Sequence, residues 1–305
     1  MSSEIVLKID SVIKAYGKDR AVDRVSFSVP KGGIFGLLGP NGAGKTSTIR
    51  MITGITRPDS GTIELFGEAQ NEQHQNLVGY MPEERGLYRK LPVRAQLEYL
   101  AELKGLSRAA AMNATDYWLG KFEIGTWEKK KTSELSKGMQ QKVQFIVTVL
   151  HDPQLLILDE PLSGLDPINA ELINNTITEL KHAGKTIILS THRMEQVEQV
   201  CDEIVLLNRG RVVLAGPLRE IKQKSGRQLV AIRFDGSDSF LDGLTNCKII
   251  ERHPNEAMLE LTDKTQYRPM LRAISDQVEL LKWELIEPPL KELFLEAVAK
   301  QSTTA

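Results

Sequence analysis

The chain has 305 residues, 41% apolar and 26% charged, which suits about two globular domains and excludes a disordered chain. Its 39 Lys and Arg against 40 Asp and Glu leave a net charge of −1, so the overall charge gives no argument for a nucleic-acid partner. No apolar run reaches about 18 residues, the start MSSEIVLKID lacks the regions of a signal peptide, and Cys201 and Cys247 can build neither a disulfide framework nor a zinc site.

Residues 5–13 alternate like a strand, Tyr16-Gly17 makes a turn, and 22–33 reads as a second strand ending at Pro and Gly. The apolar run 34–39 is a buried strand that feeds a Gly-rich loop, and 46–54 has helical spacing. A turn and strand follow over 56–68. Between 87 and 150 helical periodicity dominates, over 91–106, 108–122 and 136–150. LLILDE (155–160) returns to a buried strand. Then come a helix (168–183), a strand (185–192), a helix (193–201) and a hairpin (203–216) with its tip at Asn208-Arg209-Gly210. Strands alternating with helices predict an α/β fold with a mostly parallel sheet. The polar segment 221–228 reads as a linker. Beyond it, strands at 229–236, 247–252, 257–263 and 278–287, a helix at 266–276 and an amphipathic helix through Leu290, Leu293, Phe294, Ala297 and Val298 make a separate α+β domain. The expected boundaries are 1–222 and 228–305.

Gly39-Pro40-Asn41-Gly42-Ala43-Gly44-Lys45-Thr46 fits G-x-x-x-x-G-K-[ST], and Ser47 follows it. Such glycines let backbone N–H groups close on phosphates. Lys45 adds a point charge, and the Thr46 hydroxyl can ligate Mg²⁺. The motif has the context it requires, with a strand before it and a helix after it. Asp159 and Glu160 end a buried strand, where ligands bind in open α/β sheets. Asp159 can hold Mg²⁺ through a water, and Glu160 can polarise a water that attacks the γ-phosphate.

Five further features arrive in order: Tyr16, YMPEERGLY (80–88), LSKGMQ (135–140), SGLDP (163–167) and His192 after IILST. With the two motifs above, they resemble the ATP-binding subunit of ABC transporters over about residues 4–220. The ending EPPLKELFLEAV is similar to the extra domain of exporter-type subunits. The resemblance implies an α/β P-loop NTPase of ABC type, with an N-terminal antiparallel β portion, a helical insert at about 87–150 and a small C-terminal α+β domain. It implies a cytoplasmic ATPase, peripheral on the inner face of the cell membrane, that dimerises around two ATP with Mg²⁺. Its membrane subunits would be separate polypeptides docked on the insert and on 80–88, and no nucleic-acid partner is implied. In the family each ATP lies between the phosphate loop of one chain and the signature of the other, here Ser136 and Gly138. Tyr16 matches the aromatic residue that stacks on adenine, and is otherwise an ordinary turn aromatic. His192 matches the switch histidine, which can hydrogen-bond the γ-phosphate or the attacking water.

Two departures stand out. Glu83 occupies the Q-loop glutamine position, where a carboxylate still reaches Mg²⁺ or a water but cannot donate as an amide does. Arg85 either offsets that charge or is simply solvated. In the signature, Lys137 replaces a glycine and Met139 the glutamine. Lys137 either adds charge at the nucleotide or is an exposed lysine in a first helical turn. The alternative to a transporter subunit is an ABC-type ATPase acting on a macromolecular assembly. Translation-type members carry two ATPase halves in one chain and DNA-repair members insert long coiled coils, and neither pattern is present here.

Overall fold

The computed structural model describes residues 4–84 and 86–303; Arg85 lies outside them. Contacts divide the chain into two compact units that meet at Pro217 and Leu218, a few residues before the expected boundary.

The first unit opens with a long hairpin, β1 (Ile5–Tyr16) and β2 (Asp19–Pro30), turning at Gly17. Next come β3 (Gly33–Leu38), α1 (Lys45–Ile52), β4 (Ser60–Leu65), β5 (Glu68–Ala69) and β6 (Val78–Met81). Strands β2-β1-β4-β5 form an antiparallel sheet. The helices α2 (Val93–Leu103), α3 (Arg108–Lys121) and α4 (Lys137–Val149) form the insert, packed through Trp118, Phe122 and Phe145. Arg94 ties the insert together by pairing with Glu98, Asp116 and Glu128.

β7 (Leu155–Asp159), α5 (Pro167–His182), β8 (Thr186–Thr191), α6 (Met194–Val200), β9 (Glu203–Asn208) and β10 (Arg211–Pro217) complete the unit. Its second sheet has the order β10-β9-β3-β8-β7-β6, parallel throughout except for β10. Every residue of β7 and β8 is buried, which is why residues 155–158 of β7 and 187–189 of β8 read as continuous apolar stretches rather than alternating ones. Ile49 and Ile52 of α1 join a core with Val25 and Phe27 of β2 and Phe35 of β3; the two phenylalanine rings stack 5.5 Å apart. Because β3, β6, β7 and β8 run parallel, the loops that follow them all emerge at one edge of the sheet.

The second unit begins with α7 (Leu218–Lys224), so the segment read as a linker is partly helical. β11 (Leu229–Asp235), β12 (Cys247–His253), β13 (Glu256–Leu261), α8 (Tyr267–Ser275), β14 (Glu279–Ile286) and α9 (Leu290–Thr303) follow. Its antiparallel sheet has the order β12-β13-β11-β14. Val230, Ile232 and Phe234 face a core with Met270 and Ile274 of α8. Among the described residues, no helix is long and apolar enough to cross a membrane.

Candidate nucleotide site

The loop between β3 and α1 is built by glycines that no other residue replaces without strain. Gly39, Gly42 and Gly44 have φ of +148°, +79° and +102°. A Cβ on Gly39 would lie 2.3 Å from the Leu207 carbonyl oxygen, and one on Gly44 would lie 2.4 Å from that of Ala21. Around Gly42 nothing stands within 4 Å. Gly44→Ala is therefore expected to lower unfolding stability by roughly 2–5 kcal/mol, combining backbone strain with a backbone clash. Gly42→Ala, with strain alone, should cost about 1–2 kcal/mol. Chemical denaturation of the two variants checks the ranking; equal losses would refute it.

The clamp at Gly44 extends further. Gly210, at the tip between β9 and β10, also approaches Ala21 closely, and its N–H donates to the Ala43 carbonyl at 3.0 Å. Asp23 N–H donates to the Gly210 carbonyl at 2.8 Å. The Asp23 carboxylate lies between Arg20 (2.9 Å) and Arg211 (2.8 Å), which hold its pKa below the usual carboxylate range.

Lys45 folds back on the loop and donates to the carbonyls of Gly39 (2.7 Å) and Pro40 (3.2 Å). Its pKa is lowered by burial, against the pull of Glu160, Asp159 and Glu83. Asp159 is raised, chiefly by burial, while hydrogen bonds from Ser190 and Thr46 oppose the shift. Asp159 and Ser190 are register partners across β7 and β8, so Ser190 Oγ reaches Asp159 Oδ1 at 2.6 Å. Thr46 Oγ1 donates to Asp159 Oδ2 at 3.3 Å. A buried ammonium and a buried carboxylate thus face one cavity, each desolvated: the first suits an anion and the second a cation. Thr46 and Asp159 present the adjacent hard oxygens that Mg²⁺ takes. Among the described residues, no group of three or more His, Cys, Asp or Glu could hold a metal unaided. A Mg²⁺ ion here would rely on phosphate oxygens and water for its remaining ligands.

Glu160 has φ +50°, a conformation uncommon outside glycine, and its N–H donates to the Ser190 carbonyl at 2.9 Å. Its carboxylate accepts from Thr191 Oγ1 (3.2 Å), His192 N–H (3.0 Å) and His192 Nδ1 (2.6 Å). With a carboxylate as acceptor, Nδ1 carries the hydrogen and Nε2 stays available.

Ala21, Asn41 to Ser47, Glu83, Asp159, Glu160 and His192 line one cavity of about 360 Å³. Glu83 reaches it from the end of β6, where Gln144 Nε2 donates to the Pro82 carbonyl at 2.7 Å. The other expected residues stand elsewhere. Tyr16 ends β1, is 46% exposed and carries Lys14 Nζ 5.8 Å from its ring centre. Ser136 caps α4, its hydroxyl accepting from Met139 N–H at 3.3 Å, and neither it nor Gly138 lines the cavity. Lys137 is exposed in the first turn of α4. Ala21, Ser190 and Thr191 are site residues that the sequence reading did not single out.

A phosphate loop on a buried parallel sheet, facing an Asp-Glu pair and a histidine, defines a P-loop nucleotide hydrolase. Residues 22–163 match the ABC transporter family, and residues 216–298 match the DrrA1-3-like ATP-binding protein C-terminal domain. The chain is 43% identical over 293 residues to YhaQ of Bacillus subtilis, an uncharacterized ABC transporter ATP-binding protein, covering 96% of this chain and 98% of YhaQ. It is 37% identical over 227 residues to the Nod factor export ATP-binding protein I of Ralstonia nicotianae, covering 72% and 70% of the two chains. A solved structure of an ATP-binding subunit of an ABC transporter superposes with a TM-score of 0.68 at 33% identity, over 72% of this chain and 93% of that one. The chain belongs to the ATP-binding proteins of ABC transporters. It is an ATPase subunit that powers a membrane transporter.

Proposed function

We propose that the protein hydrolyses Mg-ATP between two facing ATPase subunits, a copy or a relative, and drives export through separate integral membrane subunits on the inner face of the cell membrane. The observation that carries this reading is the division of the motifs. Loop residues 41–47, Asp159, Glu160, His192 and Glu83 share one cavity, whereas Gly39 and Pro40 of the loop do not line it and Ser136 and Gly138 stand outside it. A second subunit is the natural source of the missing signature. In this reading the loop N–H groups and Lys45 bind the phosphates. Thr46 and Asp159, with Glu83, hold Mg²⁺, whose charge offsets that of the phosphates. Glu160 takes the proton of the attacking water, and His192 orients the γ-phosphate end through its free Nε2. The first compact unit is the ATP-binding domain and the second an accessory domain.

Export is favoured by the similarity to the Nod factor export ATP-binding protein. Docking of membrane subunits on the insert and the 80–88 loop is favoured by exposed apolar groups there: Tyr88, Leu91, Tyr99 and Leu103. The rings of Tyr88 and Tyr99 meet edge to face, 6.1 Å apart. Nucleic acid has no part in this reading.

The test is to purify the full chain from detergent-solubilised native membranes. An integral membrane protein should co-purify, and Tyr88→Asp with Tyr99→Asp should release it without lowering nucleotide affinity. Retention of no membrane protein would count against the transporter reading. For Tyr16, stacking on adenine predicts that Tyr16→Ala weakens ATP binding by about 1–3 kcal/mol, with GTP bound only slightly less well than ATP by the native protein. Unchanged affinity by calorimetry would assign Tyr16 to packing alone.

A further inference from the structure

The carboxylate of Asp159 is held from behind. Asp159 is 1% exposed, Ser190 is fully buried, and the two are register partners on adjacent parallel strands. Their side chains therefore share one face of the sheet, and Ser190 Oγ donates to Asp159 Oδ1 at 2.6 Å. A hydroxyl this close to a carboxylate makes a strong, charge-assisted hydrogen bond. The other oxygen, Oδ2, accepts from Thr46 Oγ1 at the longer distance of 3.3 Å. Thr46 and Asp159 line the nucleotide cavity, and Ser190 does not. Any effect of the Ser190 hydroxyl on a bound ligand thus passes through Asp159.

The next residue on β8 serves the other carboxylate: Thr191 Oγ1 donates to Glu160 Oε2 at 3.2 Å. The two hydroxyls differ in how far they can be spared. Glu160 also accepts from the backbone and ring N–H of His192. Among the described residues, the Asp159 carboxylate accepts from Ser190 and Thr46 alone. The Thr46 bond is the longer of the two and lies on the cavity side, where a metal and its water compete for Oδ2. Ser190 is then the one donor that keeps the carboxylate plane from turning.

We infer that Ser190 is a positioning residue for the divalent cation: its hydroxyl pins Asp159 Oδ1 so that Oδ2 stays aimed at the metal side of the cavity, beside Thr46. The inference rests on the proposed role of Thr46 and Asp159 as holders of Mg²⁺. It divides the end of β8 between two tasks, with Ser190 serving the metal and Thr191 serving the carboxylate that meets the water. Partners that orient a metal-holding side chain in this way are worth about 10–100-fold in metal affinity.

Mn²⁺, read by electron paramagnetic resonance, is the probe. The full chain, in excess over the non-hydrolysable β,γ-imido analogue of ATP, is titrated with Mn²⁺, so nothing turns over. Ser190→Ala should raise the Mn²⁺ concentration at half-saturation by roughly tenfold or more. Calorimetry in EDTA should show the analogue bound by this variant as by the native chain. Thr191→Val should leave the Mn²⁺ midpoint where it is. Adding Ser190→Ala to Asp159→Asn should shift the midpoint no further than Asp159→Asn does, because the hydroxyl acts through that carboxylate. A shift below about threefold in Ser190→Ala, an equal shift in Thr191→Val, or a further shift in the double variant would each overturn the inference. So would an equal loss of metal-free affinity, which would assign Ser190 to packing. If Asp159→Asn itself leaves the midpoint unchanged, the metal reading of Asp159 fails and the inference with it. A shift in Asp159→Asn with none in Ser190→Ala overturns the inference alone.

Discussion

Glu160→Gln should bind ATP as the native protein does and lose nearly all turnover. The reason lies in what the carboxylate touches. Oε1 accepts from the backbone and ring N–H of His192, and Oε2 accepts from the Thr191 hydroxyl. An amide can keep this arrangement: its oxygen replaces Oε1, and its NH₂ donates to Thr191 Oγ1, which turns to accept. The loop that holds the phosphates is untouched. What disappears is a basic oxygen able to take a proton from water, a change worth about 10²–10⁴-fold in rate. Binding and turnover should therefore separate cleanly, with unchanged affinity by calorimetry and a fall in phosphate release. In the presence of ATP the variant should also accumulate as a closed dimer on gel filtration. Near-native turnover would remove Glu160 from the mechanism.

The second large effect is restoration of activity by mixing two dead proteins. Lys45→Ala removes the ammonium from the phosphate loop. Ser136→Arg places bulk and charge at the cap of α4, where the partner's γ-phosphate is expected. Each homodimer then has two broken sites and should be inactive. A mixed dimer has one site with native Lys45 and native Ser136, and another with both lesions. If one intact site suffices, mixing should recover up to about half the native rate per dimer formed, with mixed dimers verified by crosslinking. Full activity of the Ser136→Arg homodimer would exclude the signature from hydrolysis altogether, because no arrangement of copies could then supply it.

The chemistry of the site was legible in the sequence where side chains and turn glycines carry it, and illegible where the backbone does. The loop 39–46, the carboxylates after LLILDE and the histidine after IILST stand out because buried parallel strands are unbroken apolar runs that end abruptly in polar residues. Ser190 and Thr191 close the β8 stretch, yet their hydroxyls acquire meaning only from the register of β8 against β7, which no local pattern reveals. The strand β6 is four residues long and contains Gly79, a poor strand former. The glycine is there because α4 passes so close that a Cβ would sit 2.3 Å from the Thr148 carbonyl oxygen. Ala21 joins the cavity because its backbone lies close to Gly44, and a small apolar residue carries no sign of that in the sequence. The helix α7 escaped notice because IKQK is polar and runs into Ser225-Gly226, which resembles a connector more than an element.

The close approach of Ala21 to both Gly44 and Gly210 has a mechanical result. The hairpin β1–β2 carries Tyr16 near its turn and Ala21 a few residues beyond, while Gly44 opens the helix beneath the phosphates. Backbone atoms in contact cannot be drawn apart or pushed together as side chains can. The distance from the aromatic ring to the phosphate loop is thus set like the jaws of a caliper. If Tyr16 stacks on the base, as proposed above, a nucleotide gauged this way is selected by the length of its sugar and phosphate chain more than by the identity of its base.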